Sequence, residues 1–101
     1  MTMEAQRARG TAELQHSYLE TLATELTRRG LGATLQAPAG RIPSLLVVNP
    51  AASVLAEHVV AACGRDGTWW YWWSWAERIA VADDAKRAAA RVAQVLAATH
   101  E

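Results

Sequence analysis

Between Thr68 and Trp75 the chain reads Thr-Trp-Trp-Tyr-Trp-Trp-Ser-Trp and collects all five tryptophans of the protein. Consecutive bulky aromatics lose rotamer freedom in a helix and suit a pleated surface, so the run predicts a strand over about 68–76. Side chains alternate along a strand. One face then carries Trp69, Tyr71, Trp73 and Trp75, and the other carries Thr68, Trp70, Trp72 and Ser74. A strand with one wet side shows polar residues on that side; this one shows tryptophan on both, which predicts that both faces of its sheet are covered.

The cover available from the chain itself is small. At 101 residues it makes one domain, and 51% apolar with 20% charged residues is the balance of a globular fold. Leu14, Tyr18, Leu22 and Leu26 recur every four residues between Thr11 and Arg29, with Leu19 beside them, and Gly30 ends the segment; this predicts a first helix. Ala85, Ala88, Ala89, Val92, Val95 and Leu96 predict a last one, capped by Asp83 or Asp84. Residues 1–10 have no apolar period and read as an arm, leaving residues 11–101 as the domain.

Strands are expected over 32–37 and 43–49, joined through Pro38, Gly40 and Pro43, with Asn49-Pro50 breaking the second. Residues 51–63 obey helix punctuation, yet Val54, Val59, Val60 and the Gly64-Arg65-Asp66-Gly67 turn signal favour a strand over about 55–62. Glu77–Ala82 reads as a connector. The expectation is an α+β domain with a four-stranded, mainly antiparallel sheet and the N- and C-terminal helices on one face. Two helices of ~10 Å diameter shield about one face of such a sheet, so the opposite face is expected to expose tryptophan. The denser set, Trp69, Tyr71, Trp73 and Trp75, is assigned to the helices. Trp70, Trp72, Ser74, His58, Leu46 and Val48 are the expected partner-binding surface.

Catalytic chemistry is not indicated. His16, His58 and His100 show no paired metal-ligand spacing, and Cys63 has no second cysteine, so neither a metal site, a cofactor nor a disulfide is expected. Cys63 follows His58 by five positions, which on a strand points the two to opposite faces; a buried thiol is the expected state. Ten basic and ten acidic residues give no net charge, which disfavours nucleic acid, for which Arg41 and Arg65 are the cations nearest the aromatics. Lys86, Arg87 and Arg91 read as a solvated helix face. No apolar run approaches the ~20 residues that span a bilayer, and the first ten residues lack a signal-peptide core, so a cytoplasmic location is expected.

Three readings of the aromatic face follow. It closes on a second copy, tryptophan being a hot-spot residue of interfaces; it takes a different protein partner or stacks a small molecule; or residues 51–63 form a helix that covers it. The run from Asp66 to Ile79, containing Trp-Trp-Tyr-Trp-Trp-Ser-Trp-Ala-Glu, preceded by Leu46-Val47-Val48-Asn49-Pro50 and followed by an Ala/Arg helix, resembles small proteins of high-GC actinobacteria that have no established activity. The likeness spans about residues 14–98 and implies no catalytic residue. Some of these proteins look like companions of transcriptional regulators, which implies a regulatory adaptor. The sequence expectation is a non-enzymatic binding module.

Overall fold

The computed structural model describes residues 2–52 and 54–97. Helix α1 (Thr2–Arg28) leads into strands β1 (Gly32–Gln36), β2 (Ser44–Val48), β3 (Ala56–Cys63), β4 (Trp69–Trp73) and β5 (Arg78–Val81), and helix α2 (Ala85–Val95) closes the order. The strands form one antiparallel sheet in the sequence β1-β2-β3-β4-β5, each paired with its chain neighbours. The α+β class and the flanking helices match the sequence expectation. Strand number does not: the sheet has five strands, because residues 78–81, read as a connector, pair with β4. Residues 56–63 are strand, which excludes the reading in which 51–63 is a covering helix. No helix among the described residues is long and apolar enough to cross a membrane.

Alternation along the strands defines a single core. Leu45 and Val47, Val59 and Ala61, and Tyr71 and Trp73 are buried, while their neighbours in sequence are not. Leu19, Leu22 and Leu26 of α1 meet them from above, and Ala88, Ala89 and Val92 of α2 fill the space over β5. The helix stripe is therefore centred on Leu19, Leu22 and Leu26 rather than on Leu14, which is exposed. Alanines on α2 let that helix approach closely; a leucine there would need the room that Ile79 and Ala80 already occupy. Helix α1 begins at Thr2, ahead of the expected Thr11, so the stretch read as an arm has helical backbone.

Two hairpins share one loop design. Between β3 and β4, Gly64 N–H donates to Thr68 O (2.8 Å) and Gly67 N–H to Gly64 O (3.1 Å); between β4 and β5, Trp73 N–H donates to Glu77 O (2.8 Å) and Ala76 N–H to Trp73 O (2.9 Å). The third loop residue has positive φ in both, +83° at Gly67 and +71° at Ala76. Glycine adopts that conformation freely, whereas an L-residue with Cβ costs roughly 1–2 kcal/mol there. Ala76→Gly is accordingly expected to stabilise the fold by about 0.5–1 kcal/mol after the entropy of the freer unfolded chain is deducted, read as a higher urea midpoint. An unchanged or lower midpoint contradicts the strain.

The first hairpin adds an Asx contact: Asp66 Oδ1 accepts the Thr68 N–H at 3.0 Å, which holds the Asp66 carboxyl below the usual carboxylate range. Under the helices, Tyr71 donates its hydroxyl to Tyr18 O at 2.6 Å and joins the sheet to α1. Burial, with smaller contributions from Tyr18 and Asp83, pushes the Tyr71 phenol far above its ordinary value. The folded state thus favours the neutral phenol. This contribution to stability is full below the unfolded value of about 10 and is lost as pH rises beyond it. Urea midpoints taken from about pH 9 to about pH 11 should fall more steeply for the native chain than for Tyr71→Phe; parallel slopes contradict the assignment.

Candidate partner-binding face

Since the helices occupy one side of the sheet, the alternate residues of every strand form the other side. Reading across the register, Thr34 lies beside Leu46 and Leu46 beside His58; Val48 lies between Gly32 and Ala56; Val60 is opposite Trp72 and Ala62 opposite Trp70, which in turn faces Val81. Leu46, Val48, His58, Val60, Ala62, Trp70 and Trp72 are all half-buried. The middle of this face is apolar; its β1 edge is polar through Thr34 and Gln36. Ser44 Oγ and His58 Nδ1 lie 3.4 Å apart and form a polar pair within it.

Five of the six expected surface residues, Leu46, Val48, His58, Trp70 and Trp72, share this face. Ser74 does not. Strand β4 ends at Trp73, and Ser74 sits exposed in the following loop with its N–H donated to His58 O at 3.1 Å. Trp75 is likewise in the loop, 49% exposed, and not in the core to which alternation assigned it. Its ring stacks on that of Trp73 at 4.9 Å and 5°, and its Nε1–H donates to Glu77 Oε1 at 2.9 Å. Trp69, half-buried, packs on Tyr18 with ring centroids 5.4 Å apart. Cys63 also departs from expectation: it stands at the end of β3 and is exposed, because the sheet offers no neighbour beyond it.

The residue that sequence reasoning missed is Arg78. A β-bulge separates Tyr71 from Trp72: Trp70 pairs with Val81 and Tyr71 with Ala80, but Trp72 pairs with Arg78. Regular pairing would set Ile79 opposite Trp72. The bulge instead turns Ile79 into the core, 2% exposed, and brings a guanidinium onto the open face. There Arg78 Cζ lies 4.6 Å from the Trp70 ring centre and 5.5 Å from that of Trp72. The two indoles expected to be bare are therefore half-covered by a cation. Trp72 Nε1–H is satisfied by Ala62 O at 3.3 Å.

Where the open face meets the β3–β4 turn, a groove of about 480 Å³ is lined by Cys63, Gly64, Arg65, Asp66, Trp70, Trp72 and Arg78. Among the described residues, no three His, Cys, Asp or Glu side chains converge as metal ligands. His58 lies on the open face and Cys63 on the helix-side register, so the two do not form a nucleophile–base pair. No family model matches the chain, and neither curated proteins nor solved structures give a match.

Proposed function

We propose that the protein is a non-enzymatic interaction module that associates with a second copy of itself through the open face of its sheet. The observation that carries this is the largely apolar centre formed by Leu46, Val48, Val60, Ala62, Trp70 and Trp72, with the Ser44–His58 pair set into it and Arg78 lying against the indoles, over which no other element among the described residues packs. Five strands at ~4.8 Å and five residues at ~3.4 Å give a footprint of roughly 24 by 17 Å, or roughly 400 Å² before side-chain relief. That is about half of the ~800 Å² that each partner gives to a standard interface, so the pairing is weak and concentration-dependent rather than obligate. A chain with zero net charge meets no long-range repulsion from its copy. The half-buried tryptophans supply the large, rigid contact area that interface centres favour. A module of this size that pairs weakly suits an adaptor whose partner choice responds to its concentration.

Sedimentation equilibrium over a wide concentration range tests the reading. The native chain should shift from monomer toward dimer mass, while Val60→Asp, which places a charge at the centre of the face, should remain monomeric with an unchanged circular dichroism spectrum. Trp72→Ala provides a second, uncharged disruption should Val60→Asp unfold. A native chain that stays monomeric at every concentration refutes the proposal.

A further inference from the structure

We infer that the groove beside Trp70 and Trp72 is a binding site for a small planar aromatic anion, a flat ring carrying one carboxylate or phosphate group. This goes beyond self-association and does not depend on it. The bulge at Ile79 delivers Arg78, and not the isoleucine, to the indole pair. Among the described residues, neither Arg78 nor Arg65 has an ion-pair partner; those that form are His16 with Glu20 and Arg28 with Glu25. Two guanidiniums in the groove face one carboxylate, that of Asp66, whose Oδ1 already accepts the Thr68 N–H at 3.0 Å. The lining is left with one uncompensated positive charge.

Shape and chemistry agree with that charge. A groove of about 480 Å³ lies within the ~300–1,000 Å³ of small-molecule sites. Indole walls reward a flat ring. A guanidinium held against indole keeps its N–H fork for a carboxylate or phosphate, which it grips at two points where an ammonium would act as a point charge. Backbone pairing on β5 sets the Arg78 Cα beside Trp72, and the cation–π contacts at 4.6 and 5.5 Å hold its guanidinium against the two indoles where an anion would arrive. Trp72 is fixed too, through its bond to Ala62 O. The groove thus combines a stacking wall, a guanidinium fork resting on it and a second cation on the turn.

The test titrates 2-naphthoate, 2-naphthyl phosphate, the neutral 2-naphthamide and the non-aromatic cyclohexanecarboxylate into low-micromolar protein, following the indole N–H resonances of Trp70 and Trp72. At least one naphthyl anion should bind with a Kd below about 1 mM, and the amide and the cyclohexane acid should each bind at least about tenfold more weakly. Which acid group the site prefers follows from the two naphthyl anions. Arg78→Gln should weaken binding by about tenfold or more while the spectrum of the remaining residues is retained. Repeating the titration on Val60→Asp separates this site from self-association: a monomeric variant that still binds supports the groove alone. No binding by either naphthyl anion, equal binding by the amide, or full binding by Arg78→Gln overturns the inference.

Discussion

Replacing Trp73 with alanine should cost about 3–5 kcal/mol, against a total of about 5–15 kcal/mol expected for a domain of this size. Trp73 is 5% exposed, pairs with Val59 across the sheet and carries the Trp75 ring on its outer side at 4.9 Å. Its removal opens a cavity beside Ile79 and takes the floor from under Trp75. The neighbouring Trp72→Ala leaves that core intact and gives up a half-buried ring and its cation contact, so less than half of the loss is expected. Trp75→Ala removes an exposed stack worth roughly 0.5–1.5 kcal/mol. Urea melts of the three variants should therefore rank Trp73 far above Trp72 and Trp75. Equal losses for Trp73 and Trp72 would mean that the sheet is sealed on both sides, and the open face would disappear with the proposals built on it.

That ranking was only half visible in the sequence. Alternation separates Tyr71 and Trp73 from Trp70 and Trp72, and the denser aromatic set of the first two is the one assigned to the helices; the core holds that pair. Alternation fails at Trp75, where a three-residue loop ends the strand and Ala76 takes a glycine conformation without the residue that would signal it. The same absence hid β5: with an alanine in the turn and a bulge after Arg78, residues 77–82 show neither a hairpin signature nor a period of two. Arg78 enters the site only through its pairing with Trp72, which the bulge sets and no period in the sequence announces. Val60 and Ala62 could have been found, since they share the parity of His58 on a strand already expected there. Cys63 is exposed because it ends its strand, a position that overrides the general tendency of free thiols to be buried.

A second large effect is expected at Asn49, the one polar residue buried with the core among the described residues. Its Nδ2 donates to Leu96 O at 2.6 Å and its Oδ1 accepts Ala51 N–H at 2.9 Å. The first bond satisfies a carbonyl at the C-terminal end of α2, where helices leave such groups without partners, and ties that end to the turn after β2. Asn49→Ala leaves a buried acceptor and a donor unpaired at once and should cost about 2–4 kcal/mol. Asn49→Asp separates the two contacts. An ionised carboxylate still accepts from Ala51, but it faces the Leu96 carbonyl and the negative end of the helix dipole. The folded state would then favour the protonated acid, which can donate to Leu96 O, so the carboxyl of this variant is raised above its unfolded value of about 3.9. Stability is regained as pH falls through the raised value and is missing at neutral pH. Denaturation midpoints of Asn49→Asp relative to the native chain should accordingly improve from pH 7 toward about pH 4. A difference that stays constant across that range would show that Leu96 finds another donor and that the side chain does not anchor the helix.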